Sequence, residues 1–361
     1  MRNILVTGGA GFIGSNFVRY ILTHEPDLRV WNIDALTYAG SLANLKELPN
    51  ADRHILIEGD ICDQSVVENI IRKNHIDTIV HFAAESHVDR SILGPGAFVR
   101  TNIQGTFSLL EAARKIWIDE GKVTSDSARF HHISTDEVYG SLGPMDPAFS
   151  ETTAYAPNSP YAASKAASDH LVRAYGQTYE LPILVTNCSN NYGPYQFPEK
   201  LIPLMILNAL QGLPLPVYGD GQQIRDWLYV EDHCKAILTV LKSGKVGETY
   251  IIGGNNQPTN LEIVEVICAI LDEFIPESSH VPHNQLIQFV RDRPGHDRRY
   301  AMNIEKIQAE LKWEPAEELH SGLRKTVAWY LENELWVKSI VEEKDYQMWM
   351  DVNYAHRGDN A

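Results

Sequence analysis

An apolar run followed at once by three spaced glycines constrains the fold of this chain more than any other feature. Residues 3–7 have the composition of a short strand, and Gly8, Gly11 and Gly14 then lead into a helical pattern that continues to residue 22. Glycines at this spacing permit a tight turn, backbone approach to a pyrophosphate and close packing of helix on strand. Because N–H groups and the dipole at a helix N-terminus attract anions, the stretch predicts a dinucleotide site.

An acidic residue follows the next predicted strand. Residues 29–33 form an apolar run that ends in Asp34, about 20 residues beyond Gly14, where an acid that binds a ribose hydroxyl is expected. A carboxylate at this position repels a 2′-phosphate. The sequence therefore favours NAD over NADP as the cofactor.

Strand-like and helical patterns alternate along the first half of the chain. Such alternation is typical of an α/β fold with a doubly wound parallel sheet of the Rossmann type, in which ligands bind at the carboxyl ends of the strands. In chain order, the further predicted elements are a strand at 55–58, a helix ending at 73, a strand at 78–82, a helix at 101–115, a strand at 130–134, a helix at 161–179 and a strand at 182–187.

The pattern changes after residue 187, where polar turn residues interrupt it. A helix predicted at 198–210 lies outside the sheet, whereas the strand–helix–strand pattern of 227–253 returns to it. We therefore predict an NAD-binding domain at 1–189, joined by about 226–254. A smaller, helix-rich substrate-binding domain is predicted at 190–225 and 255–361, with a tail that frays from about residue 353.

Length and charge limit the classes of function. The chain has 361 residues, which is enough for two domains, and a formal net charge of −16, which argues against nonspecific binding of nucleic acids or anionic membranes. The apolar run at 4–6 is too short for a signal peptide. A later run near 202–210 is too short and too interrupted to span a membrane. We expect a cytoplasmic protein without nucleic-acid or membrane partners.

The cysteines and histidines do not have the spacing of a metal site. Four scattered cysteines, at positions 62, 188, 234 and 268, are expected to be buried thiols in a reducing compartment. His131 and His132 are adjacent in a predicted strand, so their side chains point to opposite faces. The sequence predicts no metal site.

Tyr161 and Lys165 form the first candidate catalytic pair. They are four residues apart at the start of a predicted helix, after Pro160, and therefore share one helix face. Such a pair is most often part of a solvated face, but this one follows a dinucleotide motif and a strand ending in Ser134 and Thr135. A tyrosine base near neutral pH needs its pKa lowered by roughly 3 units, about 4 kcal/mol. Lys165 and a positive nicotinamide ring can supply this, while Thr135 or Ser134 holds a substrate hydroxyl.

Asp136 and Glu137 are the second candidate pair. Two acids at a strand end can simply be solvated, and hydride transfer alone does not need them. Elimination of water needs both a base and an acid. Once C4 of a hexose is a ketone, the C5 hydrogen is acidic, and one carboxylate can remove it while a protonated acid assists departure of the C6 hydroxyl. Both can reach one substrate only if the strand has ended, as Tyr139 and Gly140 indicate. The acid needs a raised pKa, which burial beside a carboxylate would provide.

A basic cluster at 291–300 is unusual in so acidic a chain. It is either a solvated turn with self-paired charges or a clamp on a diphosphate, because guanidinium groups suit phosphate oxygens. Arg225 is a second candidate for the clamp. Pro216, Tyr218 and Asn260 are weaker candidates for nucleoside contacts.

At these residues the chain resembles the extended short-chain dehydrogenase/reductase family. The glycine motif and Tyr-x-x-x-Lys are typical of the whole superfamily. Thr-Asp-Glu resembles its sugar-nucleotide dehydratases, and the last motif below resembles their thymidylyl-sugar branch. The shared motifs are Thr-Gly-Gly-Ala-Gly-Phe-Ile-Gly at 7–14, Ala-Ala-Glu-Ser-His-Val-Asp-Arg at 83–90, Ser-Thr-Asp-Glu-Val-Tyr-Gly at 134–140, Tyr-x-x-x-Lys at 161–165 and Asp-Arg-Pro-Gly-His-Asp at 292–297.

The resemblance implies a lyase that removes water from dTDP-glucose with bound NAD. Tyr161 takes the C4 hydroxyl proton as the C4 hydride passes to NAD⁺. Glu137 then removes the C5 proton, and Asp136 protonates the C6 hydroxyl so that water leaves. Return of the hydride to C6 gives dTDP-4-dehydro-6-deoxyglucose, a precursor of rhamnose-type deoxysugars, and NAD remains bound. The resemblance also implies a homodimer built on helices near 102–116 and 161–178.

Motifs and resemblance together assign the site residues. The catalytic residues are Thr135, Asp136, Glu137, Tyr161 and Lys165. The cofactor-binding residues are Gly8, Gly11, Phe12, Ile13, Gly14, Asp34, Ala35, Leu36, Thr37, Asp60, Ile61, Phe82, Ala83, Ala84, Ser86, Thr101, Tyr161, Lys165 and Asn191. The substrate-binding residues are Ser86, Thr135, Asn190, Lys200, Leu201, Pro216, Tyr218, Arg225, Asn260, Asp292, Arg293, His296 and Tyr300.

Two other functions fit parts of the same pattern. A sugar-nucleotide 4-epimerase shares the fold, the NAD and the Tyr/Lys pair, but it needs no acid and base after the threonine. A non-catalytic NAD-binding regulator usually lacks the tyrosine or the lysine, and both are present here. Product analysis with a nucleotide sugar separates the three functions.

Overall fold

A seven-stranded parallel sheet forms the centre of the computed structural model, which describes residues 1–124 and 127–354. Six of its strands are almost entirely buried, as expected for strands covered by helices on both faces, whereas the edge strand at His54–Glu58 is only partly buried. The spatial order is β3-β2-β1-β4-β5-β6-β10, and all neighbours are parallel. The strands are β1 (Asn3–Thr7), β2 (Arg29–Asp34), β3 (His54–Glu58), β4 (Thr78–His81), β5 (Arg129–Thr135), β6 (Ile183–Cys188) and β10 (Thr249–Ile252).

Helices cover both faces of this sheet and confirm the doubly wound α/β fold. One face packs on a cluster that includes Val67, Leu109 and Val172. The opposite face packs on a cluster that includes Phe17 and Ile237. The helices around the sheet are α1 (Phe12–His24), α2 (Gln64–Lys73), α3 (Val88–Leu93), α4 (Pro95–Phe98), α5 (Thr106–Ala113), α6 (Pro160–Tyr179) and α8 (Val230–Ser243).

The helical segment around α5 is longer than its sequence pattern predicts. A helix was expected at 101–115, but the backbone is helical from 95 to 119. The additional turns at Val99–Gly105 and Arg114–Asp119 have π-type hydrogen bonding. An apolar pattern with a period of 3.6 residues does not detect such turns. Their hydrogen bonds join residues i and i+5, so each turn contains more residues than a turn of α-helix.

The remaining residues form a smaller, helix-rich part with its own core. This core packs residues such as Ile206, Ile263, Leu323 and Trp336 together. The elements are the two-stranded parallel sheets β7 (Asn190–Tyr192) with β9 (Trp227–Tyr229) and β8 (Leu215–Tyr218) with β11 (Ile287–Val290), and the helices α7 (Leu201–Leu210), α9 (Asn260–Phe274), α10 (Glu305–Leu311), α11 (Leu319–Glu332), α12 (Glu334–Val341) and α13 (Lys344–Tyr354).

Two predictions in this part were wrong in detail. The segment after residue 187, expected to be only a turn, contains β7, and the helix expected from 198 begins at Leu201. Residues 355–361, most of the tail expected to fray, lie outside the described residues. In the described part of the chain, no helix combines the length and apolar character needed to cross a membrane.

Candidate active site

Two adjoining cavities lie at the carboxyl ends of the main sheet. The larger, about 450 Å³, lies over the ends of β1, β2, β4, β5 and β6. The smaller, about 180 Å³, lies between this edge and the elements α7, β8 and α9. The residues that line both cavities are Ser86, Glu137, Asn190, Asn191, Gln196, Glu199 and Lys200.

The glycine turn between β1 and α1 forms one wall of the larger cavity. Gly8 has a φ of +72°, and a Cβ there would lie 2.6 Å from the Ala83 nitrogen. A Cβ at Gly14 would lie 2.2 Å from the Gly8 oxygen. Helix α1 begins after Gly11 without a side-chain cap, so its first N–H groups are left for an anion. This cradle fits the pyrophosphate of a dinucleotide.

Asp34 lies at the end of β2 in the same cavity, where its carboxylate orders the surrounding backbone. One oxygen accepts a hydrogen bond from the Ala10 N–H and the other from the Leu36 N–H, both at 2.8 Å. Burial raises the pKa of this carboxyl. Each carboxylate oxygen can accept a further hydrogen bond, so Asp34 can also bind ribose hydroxyls. Together with the glycine turn, it fits NAD.

Thr135, Tyr161 and Lys165 come together beside this cavity. Strand β5 ends at Thr135, and α6 begins after Ser159, whose side chain accepts a hydrogen bond from the Ala162 N–H at 3.0 Å. Lys165 is buried on α6, and its ammonium donates to the Ile133 carbonyl at 2.8 Å. The α6 N-terminus and the β5 end thus place all three side chains in one wall of the cavity.

The pKa of the Tyr161 phenol differs from the sequence-based expectation. Burial, and then the Glu137 carboxylate, raise it well above the ordinary value, whereas a base needs it lowered. Burial also lowers the pKa of Lys165, and the carboxylate of Asp169 acts in the opposite direction. Positive charge beside the phenol is therefore needed before Tyr161 can accept a proton.

Asp136 and Glu137 lie on a single helical turn that begins where β5 ends. The turn covers Asp136–Tyr139, and Thr135 caps it by accepting a hydrogen bond from the Glu137 N–H at 3.3 Å. Because the strand has ended, the two carboxyls no longer point to opposite faces of the sheet. Both line the larger cavity, and Glu137 also lines the smaller one.

The environments of the two carboxyls differ in a way that suits an acid and a base. Burial, and then the Glu137 charge, raise the pKa of Asp136 well above its ordinary value. One of its oxygens has no hydrogen-bond partner within the described chain. Burial raises the pKa of Glu137 as well, but Arg293 and Lys200 oppose the increase. Asp136 is therefore the carboxyl that more readily stays protonated, and Glu137 the one that more readily ionises.

A buried carboxylate, Asp169, lies behind the Tyr161/Lys165 pair. One oxygen accepts hydrogen bonds from the Ser134 hydroxyl at 2.9 Å and the Tyr155 hydroxyl at 2.8 Å. The other lies 3.2 Å from the His132 ring. Ser134 and Thr135 both line the larger cavity. The Ser134 hydroxyl donates inward to Asp169, whereas the Thr135 hydroxyl donates to Asp136 at 3.2 Å. His132 has a structural partner, and His131 contacts Thr186 at 3.1 Å.

Cationic groups from distant segments converge on the smaller cavity. They are Lys200, Arg225 and Arg293, together with the imidazole of His296. Burial, and then the charge of Arg293, lower the pKa of His296 to about 4. Guanidinium groups in a confined site bind phosphate oxygens well. The arrangement fits a diphosphate, with apolar residues of α7 and α9 beyond it.

Most of the basic cluster at 291–300 does not reach this cavity. The guanidinium of Arg298 pairs with Asp220 at 2.9 Å near the surface. That of Arg299 binds the Gln257 side chain and the Asp146 carbonyl. Only Arg293 and His296 of the cluster line the cavity, so the two sequence-based interpretations of the cluster each apply to part of it.

Three predicted site residues do not line either cavity. Leu36 has a left-handed backbone, with φ of 49°, and its N–H binds Asp34. Asp292 contacts His296 at 2.6 Å and Gln223 at 2.9 Å. The Arg225 guanidinium lies over the Tyr300 ring, 4.2 Å from the ring centroid. Asp292 and Tyr300 therefore support ligand-facing residues from behind.

The structure brings the other predicted residues to the cavities. The larger cavity is lined by Gly8, Gly11, Phe12, Ile13, Gly14, Asp34, Ala35, Thr37, Asp60, Ile61, Phe82, Ala83, Ala84, Ser86, Thr101, Thr135, Asp136, Glu137, Tyr161, Lys165, Asn190, Asn191 and Lys200. The smaller cavity is lined by Ser86, Glu137, Asn190, Asn191, Lys200, Leu201, Pro216, Tyr218, Arg225, Asn260, Arg293 and His296.

Sequence reasoning missed Glu199 and its partner Arg90. Glu199 lines both cavities, and Arg90 Nε donates to it at 3.0 Å. Burial raises the pKa of this glutamate, and Lys200 and Arg90 oppose the increase. The available signal was an acidic residue directly before the predicted Lys200.

Comparison with known proteins identifies relatives that match this chain over nearly its full length. A sequence profile described as GDP-mannose 4,6 dehydratase matches residues 5–326. The curated dTDP-glucose 4,6-dehydratase of Salmonella typhimurium is 56% identical over 362 residues, covering 98% of this chain and 99% of that protein. The protein of the same name from Neisseria meningitidis serogroup B is 57% identical over 343 residues, covering 94% of this chain and 96% of that protein.

Solved structures show the same similarity. The dTDP-glucose 4,6-dehydratase of Bacillus anthracis in complex with NAD has a TM-score of 0.82 and 48% identity, covering 94% of this chain and 100% of that chain. That of Streptomyces venezuelae with NAD and dTDP bound has a TM-score of 0.84 and 46% identity, covering 94% and 99%. A UDP-glucose 4-epimerase of Thermotoga maritima has a TM-score of 0.80 and 27% identity, covering 92% and 99%.

Proposed function

The chain belongs to the family described as GDP-mannose 4,6 dehydratase, and we propose that it catalyses the 4,6-dehydration of dTDP-glucose with bound NAD. The product is dTDP-4-dehydro-6-deoxyglucose, and the reaction removes water, as in a hydro-lyase. Relatives at 56% identity over nearly the full length carry the name of this activity.

The single observation that carries the proposal is the acid pair beside the Tyr/Lys pair. Asp136 and Glu137 follow β5 on one turn and line the same cavity as Tyr161 and Lys165. A 4-epimerase has no use for a second acid and base, because it neither removes the C5 proton nor expels the C6 hydroxyl. The pair therefore favours dehydration.

The glycine turn would hold the pyrophosphate of NAD and Asp34 would bind a ribose hydroxyl, with Tyr161 and Lys165 in the wall of the same cavity. When bound, NAD supplies the oxidant for C4 and the reductant for C6 within one turnover. The chain's own residues supply everything else: they hold the sugar, move its protons and exclude water. Asp60, Ile61 and the residues 82–84 line the cavity between these two ends.

Tyr161 is proposed to hold and remove the proton of the C4 hydroxyl. Burial keeps the phenol protonated, so its ionised form depends on nearby positive charge. Lys165 supplies part of that charge, and Asp169 helps to keep Lys165 protonated. The Thr135 hydroxyl, which lines the cavity beside the acid pair, is proposed to orient the C4 hydroxyl. General base catalysis of this kind contributes typically about 10²–10⁴-fold in rate.

Glu137 is proposed as the base that removes the C5 proton, and Asp136 as the acid for the C6 hydroxyl. Oxidation at C4 makes the C5 hydrogen acidic, because the resulting carbanion is an enolate. Arg293 and Lys200 favour the ionised form of Glu137. Burial and Glu137 favour the protonated form of Asp136. The two carboxyls thus divide the roles through their different surroundings.

The smaller cavity is proposed to hold the dTDP portion. Arg225 and Arg293 provide fork-shaped donors for the diphosphate, and Lys200 adds a point charge. Leu201, Pro216, Tyr218 and Asn260 surround the remaining volume, which suits a nucleoside.

The assembly is proposed to be a homodimer. The helical segment 95–119 exposes Val99, Phe107 and Ile118 by 55%, 41% and 37%. Helix α6, which packs against this segment, exposes small residues such as Ala163 and Ala174. Apolar side chains grouped on neighbouring helices are typical of an interface. We also propose a cytoplasmic location.

The division into an NAD-binding part (1–189 with about 226–254) and a substrate-binding part (190–225 and 255–361) is likewise a proposal. It is supported by the pairing of β10 with β6 in the main sheet. A separate apolar core that includes residues of α7, α9 and α11 also supports it.

Incubation with nucleotide sugars tests the function. The purified protein is mixed with dTDP-, UDP-, CDP- and GDP-linked glucose, and the products are identified by mass and by NMR. We expect loss of water from dTDP-glucose and a 4-ketone with a C6 methyl group. An epimer with an intact C6 hydroxyl would identify an epimerase. Binding of NAD without turnover of any sugar would identify a regulator.

A further inference from the structure

A loop after β2 lines the cofactor site. Unlike most of the NAD-binding part, it packs apolar side chains on the core of the C-terminal part. Residues 35–46, here called the cofactor flap, line the larger cavity through Ala35, Thr37, Ala39 and Gly40. The flap has little regular structure beyond one short turn at Leu42–Leu45. These residues therefore form part of the wall of the cavity that would hold NAD.

The apolar side chains of the flap pack on the C-terminal core rather than on the NAD-binding sheet alone. Tyr38, Ala39 and Ala43 contact the cluster that contains Tyr330 and Trp336. The Tyr38 ring also lies 3.7 Å from the Arg90 guanidinium and 5.7 Å from the Phe197 ring. The flap is therefore held by parts of the chain that are distant in sequence.

One buried amide joins α12 to the glycine turn. The Trp336 indole N–H donates to the Asn44 side-chain oxygen at 2.7 Å. The Asn44 amide nitrogen donates to the Ala10 carbonyl at 2.8 Å, and the Ala10 N–H donates to Asp34 at 2.8 Å. Asn44 is 2% exposed and Trp336 8%, so water cannot readily replace either bond.

The chemistry of these groups allows only one orientation of the amide. An indole N–H can only donate and a carbonyl can only accept, so the Asn44 oxygen must face Trp336 and its nitrogen must face Ala10. The Ala10 carbonyl also accepts from the Ser41 N–H at 3.0 Å. The Arg19 guanidinium binds the Asn44 backbone oxygen at 3.0 Å. Several hydrogen bonds therefore connect the flap to the glycine turn. The hydrogen bond from a flap side chain to α12 is the one between Asn44 and Trp336.

We propose that Trp336 is a positioning residue for cofactor retention: through Asn44 it holds the cofactor flap closed over the glycine turn. This inference rests on the proposed function, in which the nicotinamide is used twice in each turnover. If the reduced cofactor dissociated between these two uses, the sugar would remain a 4-ketone that receives no hydride at C6. Helix α12 thereby links the C-terminal part of the chain to the completion of each cycle.

Exchange of bound cofactor tests the inference without relying on activity. The holoenzyme is mixed with an excess of isotope-labelled NAD in the absence of sugar, and the rate at which label replaces bound NAD is measured. Trp336→Phe keeps an aromatic ring but removes the N–H and leaves a buried acceptor unpaired. We expect exchange roughly tenfold faster than in the wild type, since a lost hydrogen bond of this kind weakens the closed state by about that factor.

Trp329→Phe is the matched control. Trp329 belongs to the same aromatic group, with its ring 5.0 Å from Trp336 and 4.7 Å from Tyr195, but it does not donate to Asn44. We expect its NAD exchange to match the wild type. Equal acceleration in both variants, or wild-type exchange in Trp336→Phe, would overturn the inference. The melting temperature of the NAD-free proteins separates a loss of general stability from faster release.

Asn44→Ala supplies an independent variant in case Trp336→Phe does not fold. It should also accelerate exchange, and adding Trp336→Phe to it should change the rate little, because both act through the same bond. Fully multiplicative effects would contradict the proposed link. A wild-type protein that holds no NAD would instead contradict the proposed function, and would be recognised before any variant is compared.

Discussion

The NAD end of the active site is built on regular elements, whereas the sugar-nucleotide end is assembled from short segments distant in sequence. Gly8 follows β1, Asp34 and Thr135 are the last residues of β2 and β5, and Tyr161 and Lys165 lie on one face of α6. Each of these positions is determined by the elements next to it in the chain.

At the other end, the cations are held by tertiary contacts. Arg225 lies over the Tyr300 ring, Arg293 is 3.5 Å from Asp89, and Lys200 donates to the Ser86 carbonyl at 3.1 Å. The difference indicates that NAD binding and sugar-nucleotide affinity depend on largely separate sets of residues. Variants at the two ends should therefore change different kinetic quantities.

Tyr161→Phe, at the NAD end, should have the largest effect. Removing the phenol removes the proposed base for C4 oxidation, so turnover should fall by about 10³-fold. The NADH absorbance that appears on mixing with dTDP-glucose should be lost to the same extent, because this step precedes all others. Bound NAD and the Kd of dTDP-glucose should stay at wild-type values. NADH formation at the wild-type rate would remove Tyr161 from this role.

Arg293→Lys, at the sugar-nucleotide end, should raise the KM for dTDP-glucose by about tenfold, because the ammonium keeps the charge but loses the forked donors. The NAD content of the purified protein should not change. Arg298→Lys is the matched control, since Arg298 belongs to the same segment but pairs with Asp220 near the surface. A loss of bound NAD in Arg293→Lys would break the separation between the two ends.

Asp169→Asn should have a smaller effect that depends on pH. Burial lowers the pKa of Lys165 and the Asp169 charge opposes this, so removing the charge lowers that pKa further. The Lys165 cation is then lost at lower pH, and NADH formation should decline earlier on the alkaline side, with a several-fold decrease near neutrality. Tyr155→Phe removes a hydrogen bond to Asp169 but not its charge, so its alkaline limb should match the wild type. Identical pH profiles for both variants would contradict the role of the charge.

The wild-type pH profile should show the smallest of these effects. The pKa of Asp136 is raised by burial and by Glu137, and the acid form is lost as pH rises through it. Rapid mixing with dTDP-glucose should therefore show a rising fraction of NADH at alkaline pH. A fraction that does not change with pH would contradict the assignment of Asp136 as the acid.

The two ends of the active site also differ in how well the sequence predicts their secondary structure. The bounds predicted for the first strand, 3–7, agree with β1 (Asn3–Thr7). Tyr139 and Gly140 predicted that β5 ends before the acid pair, although the predicted strand, 130–134, stops one residue short of Thr135. These features depend on local apolar patterns and local turn residues. Strands β7, β8 and β11 have only three or four residues each, and each pairs with a distant segment, so no local pattern predicted them.

The candidate site shows a similar limit. Leu36, Asp292 and Tyr300 are predicted to bind ligands, but none of them lines a cavity. Each instead contacts a residue that does. Sequence position identifies a neighbourhood, but the direction of a side chain in an irregular segment depends on its tertiary contacts. The packing of Tyr38 on the C-terminal core is unpredictable for the same reason.

The central claim is that Glu137 acts on C5 only after C4 has been oxidised. Single-turnover mixing of Glu137→Gln with dTDP-glucose in deuterated water tests it directly, with NADH absorbance and C5 deuterium followed together. We predict that NADH forms and persists, while C5 gains no deuterium and no water is lost. Deuterium incorporation at C5 at the wild-type rate would contradict the claim.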